Sequence, residues 1–293
     1  MEIIDSHVHI VEENKIGRPW DASYASSGGS GETDPRKALR ASMRLTSDSE
    51  MLETTTRVGV DGALLVATSH YGWDNSYPVA SAAKHPNRFR VVGRLNPDAA
   101  DIEEQTAEWK ANPVAVGLRI LMMNDATNEK IAAGHYHRFF IALQRYQIPL
   151  CIFPPNYLSH VALLATKYEA LSLVIDHLGM PQPHSKGVNS SRFGRLHELM
   201  RLAVYPNISV KLSAAPALST QCYPFEDLWP YIHQVVGAFG PERVMWGSDW
   251  TRVAGFVSYD EGIGYIATTD ELSKHDKSLI LGQSLRRVFG WNR

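Results

Sequence analysis

Eight short apolar runs are spaced along this chain of 293 residues, and a stretch that favours helix follows each of them. Neighbouring parallel strands need a long crossover, so strands that alternate with helices predict a parallel sheet. Eight such units favour an α/β fold of the closed (β/α)₈ TIM-barrel type over an open sheet. The predicted strands cover residues 3–10, 62–68, 89–95, 115–121, 149–153, 171–177, 208–212 and 243–249.

The predicted barrel takes up residues 1–293 as a single domain, because one barrel typically needs about 250 residues and no linker interrupts the alternation. The exception to the regular spacing is residues 11–47, a long loop after the first strand. It holds the flexible run 26–31 together with Trp20 and Tyr24. Loops of this length in compact domains are mostly functional or disordered, and the aromatic residues indicate an active-site lid.

Composition narrows the kinds of partner that the protein can have. A net charge of −2 provides no basic field for nucleic acid, and no run approaches the roughly 18 apolar residues of a membrane span. The chain opens directly into a strand without the pattern of a signal peptide. Its two cysteines, Cys151 and Cys222, are far apart and indicate a reducing compartment. We therefore expect a soluble cytoplasmic protein with a small-molecule substrate. The sequence leaves open whether the protein forms a homo-oligomer.

The first predicted strand carries two histidines, His7 and His9, in an otherwise apolar run. Residues two apart share one face of a strand, so both imidazoles are expected on the face that also carries Asp5. Two imidazoles that converge on one point can hold a divalent metal ion or stabilise an oxyanion. Two histidines that satisfy each other in a core are the plain structural alternative, and the aspartate on the same face favours function.

Polar residues also end two later strands. His177 ends the sixth predicted strand and Asp249 the eighth. Taken singly, His177 could be a structural histidine and Asp249 a helix cap. In a barrel, however, the carboxyl ends of all strands meet at the face that carries the active site. Together with His7 and His9, these residues predict a catalytic centre.

Three motifs stand out: Asp-Ser-His-Val-His at 5–9, Asp-His-Leu-Gly-Met-Pro at 176–181 and Trp-Gly-Ser-Asp-Trp at 246–250. They resemble the amidohydrolase superfamily of (β/α)₈ hydrolases, whose last helix the segment 281–290 also resembles. The second and third motifs are most similar to its lactonase branch, which includes pyrone-dicarboxylate lactonase, sulfomuconolactone hydrolase and sugar-acid lactonases. The resemblance implies a hydrolase that opens a small, carboxylated cyclic ester.

One departure from the family bears on the metal. Metal-dependent members generally supply a histidine from strand five, but residues 149–155 contain none, and Arg119 on strand four cannot ligate a metal. A two-metal centre is therefore not expected. Two alternatives remain open: four residues, or some of them, hold one Zn²⁺, or the histidines polarise the substrate without a metal ion. No organic cofactor is implied. The four candidate ligands are His7, His9, His177 and Asp249.

The predicted mechanism assigns the general base to Asp249, which takes a proton from the water that attacks the lactone carbonyl. The three histidines, or a metal that they hold, stabilise the resulting oxyanion. Because an aspartate has an ordinary pKa of about 4, either a metal-activated water or a raised pKa is needed.

Further residues are predicted to bind substrate. Arg119, Lys211 and Arg94 can bind carboxylate or sulfonate groups, unless they form structural ion pairs. The loop after strand two offers a second set of candidates: His70, Tyr71 and Trp73. Alternative functions are a metal-dependent decarboxylase of an aromatic or muconate-type acid, a cyclic amide hydrolase and, more remotely, a ligand-binding barrel without catalysis.

Overall fold

The computed structural model describes residues 1–22, 43–183 and 192–292, and the fold is given for these ranges. Much of the predicted lid, including Tyr24 and the run 26–31, lies outside the described residues. The two described ends of that segment pair with each other, because Val11 and Thr46 form an isolated antiparallel bridge.

Within the described ranges, eight parallel strands pair with one another in chain order, which confirms the predicted (β/α)₈ barrel. The strands are β1 (Ile4–Val8), β2 (Gly62–Val66), β3 (Phe89–Gly93), β4 (Ala115–Leu121), β5 (Leu150–Phe153), β6 (Leu173–Ile175), β7 (Ile208–Ser213) and β8 (Val244–Gly247). The last strand meets the first where the backbone N–H of Asp249 donates to the His7 carbonyl oxygen at 2.8 Å.

Helices fill the crossovers. They are α1 (Asp48–Arg57), α2 (Ser76–Lys84), α3 (Ile102–Ala111), α4 (Asp125–Ala132), α5 (His137–Arg145), α6 (Leu158–Lys167), α7 (Leu196–Arg201), α8 (Trp229–Phe239), α9 (Trp250–Val253), α10 (Tyr259–Ala267), α11 (Lys274–Ser278) and α12 (Ser284–Phe289). A π-helical turn, Leu279–Gln283, joins the last two. Short 3₁₀ turns cover Ser69–Tyr71, Asp176–Gly179, Leu202–Val204, Ala215–Leu218, Glu226–Leu228 and Pro241–Arg243.

Helices α4, α9 and α10 fall outside the helical stretches that the sequence predicts after the strands. The start of α10 has a clear signal in the sequence, because Ser258 and Glu261 form a reciprocal capping box. The start of α4 is capped by Asn124, whose side chain accepts from the backbone of Thr127.

The inside of the barrel is filled from the amino-terminal end of the strands. An apolar cluster joins inward residues of the strands, such as Ile4, Val174 and Met245, to Phe289 and Trp291 at the carboxyl end of the chain. Gly117 has no side chain here because a Cβ atom would lie 2.9 Å from the Phe289 ring. The lower end is therefore closed by packing, which leaves the opposite end for a site.

Strand β1 is irregular, and this corrects the predicted faces. Its pairing with β2 shifts register between Asp5 and Val8, so alternation does not run through the strand. Ile4 points into the barrel, whereas Asp5 accepts hydrogen bonds from the Ser248 backbone and the Tyr259 hydroxyl. Asp5 therefore does not share the site with the histidines.

Strand β6 also ends earlier than predicted. It stops at Ile175, and the next residues turn sharply because His177 and Leu178 adopt φ angles of 53° and 59°. These left-handed conformations divert the backbone and aim the His177 side chain into the barrel mouth. No helix in the described part of the chain is long and apolar enough to cross a bilayer.

Candidate active site

His7 and His9 bring their Nε2 atoms to 3.3 Å of each other at the mouth of the barrel. His9 Nδ1 lies 2.7 Å from the Val66 carbonyl oxygen, which only accepts, so Nδ1 carries the proton and the Nε2 lone pair faces inward. His7 Nδ1 lies 3.4 Å both from a carboxylate oxygen of Asp176 and from Lys211 Nζ, and in the tautomer with the proton on Nδ1 its Nε2 lone pair also faces inward. This arrangement of Nδ1 partners is the usual support of metal-binding histidines.

Asp249 completes this group. It follows β8 in a left-handed conformation with φ 48°, and its Oδ1 lies 3.4 Å from His9 Nε2. Its Oδ2 accepts a hydrogen bond of 2.6 Å from Arg252 Nε. Burial acts to raise the pKa of the Asp249 carboxyl, but Arg252 and the neighbouring histidines outweigh burial and hold this pKa below its usual value. Asp249 is therefore an ionised carboxylate at neutral pH.

The donor set fits a divalent metal ion. His7, His9 and Asp249 are all buried, and their ligand atoms lie within 4.8 Å of one another. Asp249 Oδ1 has no hydrogen-bond donor among the described residues although it is buried. Two imidazole lone pairs and a carboxylate oxygen that face one point repel each other unless a cation or a proton lies between them. Two nitrogens and one oxygen with an open position match a catalytic zinc site.

His177 lies beside this group. Its Nδ1 is 2.8 Å from the Ser213 hydroxyl and 3.8 Å from Asp249 Oδ2, and its Nε2 is 3.5 Å from an Arg119 nitrogen. Burial and the nearby His7 hold the pKa of His177 well below its usual value, so the ring is neutral. The structure thus brings all four predicted catalytic residues together, with His177 adjacent to the three-ligand set.

Asp176 was not predicted as a site residue, yet it organises the floor of the site. Its Oδ2 accepts from Arg119 Nε at 2.8 Å, and its Oδ1 lies 3.1 Å from Lys211 Nζ. Burial alone would raise the pKa of this carboxyl, but Lys211, Arg119 and His7 hold it well below the usual range. Two buried strand-end cations require a counter-charge, and that requirement was the available signal in the sequence.

The contacts of Lys211 do not favour the expected substrate contact. Its side chain is fully buried and lies between Asp176, His7 and Cys151, whose Sγ is 3.4 Å from Nζ. These contacts favour the structural ion pair that the sequence left open as the alternative. Arg119 can still be either a substrate-binding residue or part of a structural ion pair, because its Nε binds Asp176 and the residue also lines the cavity.

The three predicted substrate-binding residues on the loop after β2 lie in three different environments. His70 is buried and lines the cavity over the histidines. Tyr71 points away from it, where its hydroxyl accepts from the backbone of Glu12, so its expected substrate contact is not supported by its position. Trp73 is 45% exposed and stacks on the Arg94 guanidinium at 4.5 Å in a neighbouring cavity.

The cavity over the histidines is narrow, with a volume of about 50 Å³. Eight of its lining residues were not predicted from the sequence: Met43, Thr68, Ser69, Leu121, Met123, Phe153, Gln182 and Arg252. Ser69, Leu121 and Met123 also line the neighbouring cavity of about 260 Å³ that holds Trp73. The two cavities are thus contiguous.

Both described ends of the segment 11–47 border this mouth. Trp20 packs edge-on against His70 with ring centroids 5.2 Å apart, and the backbone N–H of Arg44 donates to the Thr251 carbonyl at 2.7 Å. That the segment covers a substrate stays a prediction.

The chain belongs to the amidohydrolase family, because the model of that family matches residues 4–291. It is similar to an L-fucono-1,5-lactonase from Burkholderia ambifaria, with 27% identity over 88% of this chain and 87% of the relative. It is also similar to a 4-sulfomuconolactone hydrolase from Hydrogenophaga intermedia, with 26% identity over 82% of this chain and 78% of the relative.

Solved structures show the same fold. A Burkholderia multivorans amidohydrolase with bound zinc superposes with a TM-score of 0.79 and 22% identity, and the match covers all of both chains. A probable 2-pyrone-4,6-dicarboxylic acid hydrolase from Acinetobacter baumannii superposes with a TM-score of 0.73 and 17% identity, over 99% of this chain and 100% of that one.

Proposed function

We propose that this protein hydrolyses a small, carboxylated lactone with the help of one divalent metal ion, for which zinc is the best match. The observation that carries the proposal is the convergence of His7 Nε2, His9 Nε2 and Asp249 Oδ1 on one buried point at the barrel mouth. The lactone-hydrolysing relatives support a cyclic ester as the substrate.

The three ligand atoms would hold the ion, with His177 close by. Bound there, the ion would lower the pKa of a water and polarise the lactone carbonyl. The zinc in a neighbour with the same fold supports this choice. The supporting partners of the ligands are already in place, because Val66 and Asp176 orient the two imidazoles.

Asp249 is the proton acceptor in this mechanism. Its Oδ1 is directed at the histidines and takes the proton of the attacking water, then returns it to the departing alkoxide. The lowered pKa of Asp249 makes it a weak base. A water whose pKa a metal ion had lowered would give up its proton to such a weak base, whereas an ordinary water would not. This favours the metal-assisted form of the mechanism over the metal-free one.

Arg119 and His177 stabilise the charge that develops on the carbonyl oxygen. The outer nitrogens of Arg119 and the ring of His177 both line the cavity, and Phe153 packs against His177 with ring centroids 5.1 Å apart. Donors fixed in a site that excludes water stabilise an oxyanion strongly. An ester with a good leaving group needs less such help than an amide, which suits a reduced metal set.

The charge balance of the buried site favours an anionic substrate. Three cations, Arg119, Lys211 and Arg252, face two carboxylates, Asp176 and Asp249, which leaves a net charge of +1 before a metal ion is added. A carboxylate on the lactone would offset this charge. Arg94 and Trp73 line the neighbouring cavity, which supports a role for them in binding the distal part of such a substrate, and His70 lines the cavity over the histidines.

A screen of lactones with and without carboxylate groups tests the proposal. Proton release is followed with a pH indicator, and bound metal is measured by elemental analysis. We expect activity on carboxylated lactones, about one zinc ion per chain, and loss of activity after chelation that zinc restores.

Two variants sharpen the test. His9→Ala should lose zinc and activity together, whereas His197→Ala, which changes an exposed histidine on α7, should keep both. Turnover that survives complete removal of metal would contradict the metal-assisted mechanism. Release of CO₂ from aromatic acids without hydrolysis of any lactone would contradict the lactonase and favour a decarboxylase.

A further inference from the structure

Arg252 is a cavity residue that the proposed chemistry leaves without a role. It is 4% exposed and lies on α9, three residues after Asp249. Its Nε donates to Asp249 Oδ2 at 2.6 Å, and its Nη2 donates to Gln182 Oε1 at 2.7 Å. Arginine is rarely buried unless its charge and donors are paired, so these two contacts define its position.

Gln182 connects two loops of the site. It lies in the segment after β6, and its Nε2 donates to the Met180 carbonyl at 3.1 Å, which turns its Oε1 toward Arg252. The same segment carries His177, and the loop after β8 carries Asp249. Both of these residues have a positive φ that non-glycine residues seldom adopt. Such conformations persist where the surroundings hold them, and the Gln182–Arg252 hydrogen bond joins the two loops.

The hydrogen bond from Arg252 to Asp249 decides which oxygen of the Asp249 carboxylate faces the histidines. Rotation about the last torsion of an aspartate is soft, so the position of its two oxygens is set by their partners. Arg252 binds Oδ2, and Oδ1 is thereby left toward His9 Nε2 at 3.4 Å. The competing partner of Oδ2 is His177 Nδ1 at 3.8 Å.

Arg252 differs from Arg119 in what it leaves for a substrate. The Nε and Nη2 of Arg252 are both engaged, and its Nη1 lies 3.5 Å from the Pro183 carbonyl oxygen. Arg119 lines the cavity and binds Asp176 through its Nε, and its Nη2 has only a contact of 3.5 Å to His177 Nε2. Arg252 is therefore arranged to hold a protein side chain, and Arg119 to meet a ligand.

We propose that Arg252, fixed by Gln182, is a positioning residue that holds the Asp249 carboxylate with Oδ1 directed at His7 and His9. The inference rests on the proposed hydrolase function. Arg252 acts through Asp249, both as it binds the metal ion and as it accepts the proton of water.

Four variants test this role: Arg252→Ala, Arg252→Lys, Gln182→Ala and, as the matched control, Arg243→Ala. Arg243 is an arginine that donates to the backbone carbonyls of Phe239, Tyr205 and Ala203, away from the cavity. Steady-state kinetics, the zinc dissociation constant and the circular dichroism spectrum are measured for each variant.

For Arg252→Ala we expect kcat to fall about 100-fold with KM within about threefold, and zinc to bind about 10- to 100-fold more weakly. Millimolar guanidinium should restore both in part, because it replaces the missing group. Arg252→Lys keeps the charge without the planar fork, so its loss should be intermediate. Gln182→Ala should lose about tenfold in kcat. Arg243→Ala, the control, should leave kcat, KM and the zinc dissociation constant unchanged when they are expressed per folded molecule.

Several outcomes overturn the proposal. One is an unchanged kcat and zinc affinity in Arg252→Ala, and another is a raised KM with unchanged kcat, which would make Arg252 a substrate-binding residue. If Arg252→Ala does not fold, Arg252→Lys and Gln182→Ala decide by the same measurements. If the wild-type protein hydrolyses no lactone, zinc affinity and its rescue by guanidinium decide alone, so failure of the proposed function is distinguished from failure of this inference.

Discussion

Asp176 and Asp249 are both buried carboxylates that follow barrel strands and pair with an arginine. They differ in what surrounds the carboxylate oxygen that the arginine does not bind. Both oxygens of Asp176 face cations, since Arg119 binds one and Lys211 lies 3.1 Å from the other. Neither Asp176 Oδ1 nor Asp249 Oδ1 has a hydrogen-bond partner among the described residues, but the Lys211 ammonium lies beside Asp176 Oδ1, whereas Asp249 Oδ1 has only His9 Nε2 at 3.4 Å and its arginine binds Oδ2.

In the proposed mechanism, this difference separates a structural carboxylate, Asp176, from a reactive one, Asp249. Charge alone does not distinguish the two, because the pKa of each is held below its usual value against the effect of burial. A carboxylate with a cation beside each oxygen is stabilised as an anion and is a poorer base and ligand. The oxygen without a cation beside it is better placed to bind a metal ion or accept a proton.

The largest effect is expected from Asp249→Asn. The amide keeps an acceptor for Arg252 but loses the anionic Oδ1, so kcat/KM should fall about 10⁴-fold, which corresponds to about 5 kcal/mol. Lactone turnover and the circular dichroism spectrum are measured side by side. Retention of activity within about tenfold would remove Asp249 from the chemistry.

Asp176→Asn should act mainly on the fold. Arg119 and Lys211 would then share a buried site with a neutral amide, and we expect the free energy of unfolding to fall by about 3–4 kcal/mol. Urea denaturation measures this value. A variant with normal stability that is as inactive as Asp249→Asn would show that Asp176 takes part in the reaction and would break the comparison.

Lys211→Met tests whether this lysine belongs to the floor of the site. In the double variant with Asp176→Asn, the losses of stability should be less than additive, with a coupling of about 2 kcal/mol. The KM of a carboxylated lactone should stay unchanged in Lys211→Met, because the side chain does not reach the cavity. A large rise in KM without loss of stability would restore the substrate-binding interpretation.

The smallest effect concerns Asp5, another buried carboxylate, which accepts hydrogen bonds from neutral groups: the backbone of His7 and Ser248 and the Tyr259 hydroxyl. Burial raises the pKa of Asp5 to about 6, against hydrogen bonds from Ser248, Tyr259 and His7. Because the folded pKa lies above the ordinary value of 3.8, ionisation of Asp5 opposes folding as the pH rises through this interval.

Tyr259→Phe removes the hydroxyl that donates to Asp5 Oδ2 at 2.7 Å. It should lower the free energy of unfolding by about 1 kcal/mol, and the deficit should be greater near pH 8 than near pH 5 because the pKa of Asp5 rises further. Denaturation at both pH values measures it. Tyr265→Phe on the same helix is the control, since the Tyr265 hydroxyl has no hydrogen-bond partner among the described residues. An equal deficit at both pH values would contradict this account of Asp5.

The sequence by itself determined the barrel and the membership of its site. Alternation of apolar runs with helices allows few folds, and a parallel barrel places the carboxyl ends of all its strands at one mouth. His7, His9, His177 and Asp249 could therefore be grouped without coordinates, although β1 and β8 lie at opposite ends of the chain. Residue type then restricted the chemistry to metal binding, proton transfer or both.

Only the tertiary structure decided which charges pair. Alternation in β1 predicted Asp5 on the face of the histidines, but the register shift turned it outward to Tyr259. Lys211 could not be separated from Arg119 by sequence, because each follows the same strand-end pattern. Their roles depend on how deep each lies in the barrel, which the stagger of the strands sets.

The pairing of Gln182 with Arg252 was likewise beyond the sequence. Gln182 lies in the segment after β6 and Arg252 lies 70 positions later on α9, and their contact depends on left-handed turns at His177 and Asp249. Periodicity reports which face a strand residue occupies, but it carries no information on loop conformation. For this reason the sequence singled out Asp249, whereas the tertiary structure showed which of its oxygens lies toward the histidines and which binds Arg252.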